Sequence, residues 1–221
     1  MSAPLHEPMQ PPHPRSAPGT RSGRLAHLTG TVETAAARPR LLVLALAGFV
    51  PFFVLYFGTR LPFSLPSAAS ACGGQPILDQ RWAYTADDVA GYLRTCGVAG
   101  REAIQRQQDA DLLYPAVFGL MLTVSVALLL RSVVRRGSSL HVLVLLPAVT
   151  TAADYLENVG IRTLLALYPA QPPFVPALAL VTAIKLITGW ACMAALLGLL
   201  CAAGARWGIR RVASRRHAAE R

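Results

Sequence analysis

The chain is poor in charge: Asp, Glu, Lys and Arg make up 14% of its 221 residues, against 53% hydrophobic residues. A soluble domain carries about 25% charged residues, so this balance, with a mean hydropathy of +0.43, excludes an ordinary water-soluble globule. Lysine is nearly missing, and Lys185 stands alone beside 20 arginines. The four cysteines include no Cys-x-x-Cys pair, which removes the usual basis for thiol redox catalysis. No His-x-x-x-His, Gly-x-Ser-x-Gly or Walker loop occurs, so the chain shows no zinc-protease, hydrolase-elbow or nucleotide-phosphate motif. No cofactor is expected, and no metal. A hard cation held by oxygens of Asp111, Asp154, Glu157 and Asn158 is the lesser alternative.

What the chain has in abundance is long apolar runs. Residues 41–57, 112–130, 140–158 and 174–203 are each close to the length, about 20 residues, that a helix needs to cross a bilayer. None alternates as a barrel strand would. The fold class is therefore all-α, a bundle of four transmembrane helices, with a partly helical loop between spans one and two. Of the 20 arginines, 14 lie before residue 41, between spans two and three, or after residue 203. That bias places both termini in the cytoplasm and the loop 58–110 outside, in a multi-pass protein of the plasma (inner) membrane. The net charge of +10 follows the same asymmetry and does not point to nucleic acid. The lipid bilayer is the expected partner, with anionic headgroups at the basic tail 204–221 and other membrane proteins as further partners.

Residues 1–40 hold seven prolines and no periodic apolar face, which predicts a disordered cytoplasmic arm. Pro51 predicts a kink in the first span. In the outer loop, Thr85-Ala86-Asp87-Asp88 fits a capping box opening a helix that presents Val89, Tyr92, Leu93 and Cys96 and stops at Gly97. Residues 100–111 contain no breaker and run on into span two. Cys72 and Cys96 share this loop, as a disulfide or as two unpaired thiols; a bridge closing 24 residues would contribute roughly 3 kcal/mol.

The third span carries the most specific pattern. Asp154, Glu157 and Asn158 stand at i, i+3 and i+4 and so share a helical face. At about 1.5 Å per residue, Asp154 falls roughly 20 Å along the span, within the outer half of the membrane. Lys185, about 14 Å into the fourth span by the same rise, reaches a comparable depth, so an ion pair with Asp154 or Glu157 is expected. Asp111 and Tyr114 open span two above the same region. The catalytic candidates are Asp154, Glu157 and Lys185, and the ligand-binding candidates are Asp111, Tyr114 and Asn158.

Three stretches carry a resemblance: Tyr84-Thr85-Ala86-Asp87-Asp88 with Gly100-Arg101, then Asp111-Leu112-Leu113-Tyr114-Pro115 with Phe118-Gly119, and Asp154-Tyr155-Leu156-Glu157-Asn158. Over roughly residues 40–200 the chain resembles an uncharacterised family of small, mostly bacterial four-span membrane proteins. The resemblance implies this topology and no particular activity. The leading expectation is a structural or accessory membrane component whose Asp/Glu/Asn/Lys network fixes helix register. The alternatives are a membrane enzyme or lipid-binding protein using the carboxylates on an apolar substrate, and an oligomeric proton- or ion-coupled transporter. A network sealed between helices favours the first; a cavity with Asp111 at its mouth favours the second.

Overall fold

The computed structural model describes residues 21–219; residues 1–20 of the predicted arm and 220–221 of the tail lie outside them. Every long element among the described residues is an α-helix, and four stretches are long and apolar enough to cross a membrane: Pro39–Gly58, Ala86–Val133, Ser139–Leu167 and Val175–Val212. The protein is an all-α, four-span bundle.

Part of the predicted irregular arm is helical. α1 covers Arg21–Ala36 and lies across the end of the bundle, with Thr29, Glu33 and Ala36 buried. The sequence hid it because α1 has no continuous apolar stripe; its support is tertiary, an ion pair and a narrow strip of contact. It ends where Arg38, preceding Pro39, is held extended. Pro39 then opens α2, Pro39–Gly58, which keeps Pro51 in its interior and leaves Val43, Leu44, Val50 and Val54 exposed on its outer surface. Exposed apolar side chains on a span are what lipid contact requires.

The connecting loop is a folded cap. It contains α3, Leu65–Ala71, a 3-10 turn at Leu78–Gln80, and α4, Ala86–Asp111. Thr85 and Asp88 form the capping box of α4, with Thr85 Oγ1 accepting from the Asp88 amide at 3.2 Å and Asp88 Oδ2 accepting from the Thr85 amide at 2.8 Å. Gly97 interrupts α4 with φ 61°, a conformation that glycine adopts without a Cβ penalty. The helix resumes and ends at Asp111, and a two-residue turn leads into α5, Tyr114–Val133. Cys72 is bonded to Cys96, fastening α3 to α4. Gly100 makes that approach possible, since a Cβ there would lie 2.8 Å from the Ala71 carbonyl oxygen and 3.1 Å from Cys72 Sγ.

α5 is the helix on which the others pack, touching α2, α7 and the third span. The third span begins as a 3-10 stretch, Ser139–Leu145, and continues as α6, Leu146–Leu167. It does not end at Asn158 as the sequence suggested. Ile161 and Leu164 carry it onward because they are buried against Ile77, Leu78, Tyr92 and Leu93 of the cap. Gly160 is no breaker here; it gives room to Leu178, whose Cδ1 would sit 2.4 Å from an added Cβ. The link between the third and fourth spans, 159–173 by their predicted bounds, thus contracts to the few residues between α6 and α7. α7, Val175–Ala219, absorbs both the fourth span and the predicted separate tail into one helix.

Ala36, Val133, Val144 and Leu199 meet in one buried cluster, so α1, the link after α5 and the far part of α7 occupy one end of the bundle, the terminal end. The cap occupies the other.

Candidate functional site

Just beneath the cap the helices do not close. A cavity of about 510 Å³ lies with Phe53 and Phe57 of α2 on one wall and Gly189 and Trp190 of α7 on the other. Tyr114 and Phe118 of α5 form its floor, and Asp79 and Gln80 of the cap its roof. The facing walls belong to two spans that also expose apolar surface, with Val50 and Val54 on α2 and Ile187 and Trp190 on α7.

Asp111, Asp154 and Lys185 line this space. Lys185 donates to Glu157 Oε2, and its Nζ lies 3.7 Å from Asp154 Oδ1. One ammonium therefore serves both acids of α6, the pairing that opposed chain directions allow. Such a pair is stable away from water only because each acid has a charge partner. On the other side, Tyr56 OH donates to Asp111 Oδ1 at 2.6 Å, and Gln107 donates to the same tyrosine oxygen. Tyr56, Tyr114 and Phe118 stack in series, with centroid separations of 5.8 and 5.2 Å. Tyr84 OH and Thr182 Oγ1, 3.0 Å apart, tie the cap to α7.

Of the expected site residues, Asp111, Tyr114, Asp154 and Lys185 come together around the cavity. Asn158 does not. Its amide donates to the backbone carbonyl of Asp111 at 3.2 Å, and the side chain is fully buried, so it joins α6 to the α4–α5 corner and reaches no ligand space. Glu157 is also fully buried, behind Lys185. The polar face of α6 is thus divided: Asp154 borders the cavity and Glu157 and Asn158 are sealed. Thr150 and Thr151 part in the same way. Thr150 approaches Cys192 Sγ on α7 at 3.7 Å, while Thr151 fits against Gly119 of α5 so closely that an added Cβ would lie 2.1 Å from its Oγ1.

Sequence reasoning missed Tyr56, Asp79, Gln107 and Gln108. The glutamines carried a readable signal, since Gln107 and Gln108 precede Asp111 by four and three residues and share its helical face. Asp79 carried none, because an acid in an irregular loop has no periodicity to betray its direction. It is 7% exposed, roofs the cavity and lies in the field of Lys185. Burial pushes its carboxyl up to about 8, Lys185 pulls the other way, and Glu157 and Asp111 add to the rise.

The donor set does not suit a metal ion. Asp111 is turned to Tyr56, Asn158 to a backbone carbonyl and Glu157 to Lys185. Among the described residues no three acidic, histidine or cysteine side chains converge as ligands. Comparison with family models, with curated proteins and with solved structures finds no match for this chain.

Proposed function

We propose that this is a plasma-membrane protein with both ends in the cytoplasm and its cap outside, and that it binds an amphiphilic molecule admitted sideways from the outer leaflet. The cavity between α2 and α7 is the observation that carries this reading. Its lining joins aromatic and aliphatic side chains to Asp79, Asp111, Asp154 and Lys185, and two of its walls are helices of membrane-spanning length. A register device needs a closed network; here Glu157 and Asn158 serve that purpose, while Asp111, Asp154 and Lys185, though largely buried, border the cavity. Ligand sites combine an apolar enclosure with a few placed polar groups in this way.

A second reading, a membrane enzyme moving a proton on an apolar substrate, is favoured by the excess of carboxyl groups over ammonium at the same place. Asp154 is then the exchanging group, since it has both a charge partner and access to the cavity.

Gly189→Phe tests the binding reading. A Cβ at Gly189, which lines the cavity, makes only an ordinary 3.7 Å contact with Thr150, so a side chain can start there and its ring is expected to compete for the cavity. Organic extracts of native protein purified in nanodiscs should contain an enriched amphiphile by mass spectrometry. The variant should lose that species at unchanged thermal midpoint. Equal retention by both proteins would defeat the proposal. Thiol labelling of single cysteines placed in the cap and after α7, in a Cys201→Ser background, reports orientation.

A further inference from the structure

We propose that the molecule taken into this cavity carries a cationic head, an alkylammonium or quaternary ammonium, held by Asp79 and Asp111 beside the rings of Phe57 and Tyr114. This rests on the lateral-cavity reading above. Four carboxyl groups, Asp79, Asp111, Asp154 and Glu157, lie in the field of one ammonium, and only Glu157 and Asp154 are in ion-pair contact with Lys185. That leaves Asp79 and Asp111 without a cation in contact. Asp111 is 2% exposed and its Oδ2 has no hydrogen-bond partner among the described residues; Asp79 is 7% exposed and its Oδ1 is in the same condition. Both line the cavity. A buried carboxylate oxygen without a donor is costly, and a ligand that supplies positive charge removes the cost.

The walls agree with that chemistry. Tyr114, Phe57 and Phe118 crowd the floor and one side, with Tyr114 and Phe57 meeting edge to face at 5.5 Å. Aromatic faces attract ammonium groups through the ring quadrupole, most strongly where water is excluded. An anionic head would meet two unpaired acids and a lysine that is already committed. A bare metal ion would need converging oxygens that the described residues do not offer.

A consequence follows for pH. Asp79 faces Lys185 from α7, Glu157 from α6 and Asp111 from α4, and burial raises its carboxyl to about 8. A bound cation acts on Asp79 as Lys185 does and favours the ionised form. Binding therefore releases a proton and tightens as pH rises toward about 8.

The test uses three probes with one diazirine-bearing dodecyl tail and a trimethylammonium, hydroxyl or carboxylate head. The full chain is held in nanodiscs of uncharged digalactosyl diacylglycerol. Labelling is mapped by peptide, and each probe is scored as labelling at Phe57 and Trp190 relative to lipid-facing Val43 and Leu44, which corrects for partitioning. The ammonium probe should exceed the alcohol by about tenfold at pH 8.5 and by less at pH 6. Asp79→Asn with Asp111→Asn should abolish the difference, and the comparison of head groups on the native chain stands without that variant. Equal labelling by ammonium and alcohol, or preference for the carboxylate, overturns the cationic head and leaves the cavity reading intact. Absence of cavity enrichment for all three probes overturns both.

Discussion

The two ends of the bundle solve the problem of a charged group among apolar helices in different ways. At the terminal end, Glu33 of α1 meets His141 Nδ1 at 2.7 Å and Arg131 Nε at 3.6 Å, and His141 Nε2 lies 3.2 Å from the Arg135 carbonyl. One acid is matched by its partners there, with Arg131 half exposed. At the cap end, four acids lie in the field of one largely buried lysine, and Asp79 and Asp111, which border the cavity, each keep an oxygen without a hydrogen-bond partner among the described residues. A matched cluster fastens one helix to another and leaves no buried charge for anything else to meet. A mismatched cluster in a buried site is retained at a cost in stability, which is the usual mark of a site with work to do.

The largest test of that contrast is Lys185→Met. It leaves Asp154 and Glu157 buried without a cation and should cost about 3–5 kcal/mol of stability, read as a lower folded fraction in denaturant titration. Adding Asp154→Asn and Glu157→Gln to the same chain should restore most of the loss. A Lys185→Met chain as stable as the native one would erase the distinction between the two ends. Next, breaking the Cys72–Cys96 bond with paired serines should cost about 3 kcal/mol, measured against the native chain with and without reductant. Loosening the cap should also shift the Asp79 roof and weaken ligand retention, an effect the terminal end should not feel.

Asp79 gives a pH signature. Its folded-state carboxyl is raised to about 8 from an ordinary 3.8, so between those values the folded chain binds more protons than the unfolded one. Stability contributed by this group therefore falls as pH rises from about 4 to about 8 and is level beyond. Asp79→Asn should remove that slope, so its thermal midpoint should overtake the native value as pH increases. A constant difference across pH 5–8 would place the Asp79 carboxyl outside the buried cluster. The smallest effect is expected at the terminal end: Glu33→Gln should cost about 1–2 kcal/mol, because the amide keeps an acceptor for His141 and loses the charge. Its clearest readout is faster amide exchange along α1 with the cap unchanged.

Much of the architecture was legible because hydrocarbon imposes a length on every span, and length is written in composition. The capping box at Thr85 and Asp88 was equally legible, since it needs only a hydroxyl and a carboxylate three residues apart. The shared face of Asp154, Glu157 and Asn158 followed from helical spacing, and all three are buried. Helix ends were read less well. α6 outlasts its membrane-length window because Ile161 and Leu164 find partners in the cap, a contact that no local pattern announces. α1 was missed for the same reason, being held by Glu33 against His141, 108 positions away.

The sequence alone determined the number of membrane-length helices and the level along α6 and α7 at which Lys185 meets the acids. These follow from local composition and from a fixed rise per residue. Only the tertiary structure decided which polar groups would be sealed and which would border open space. That choice depends on how α2 and α7 lean on α5 and on where the cap sets Asp79, and packing between distant segments is not encoded in the spacing of any one of them.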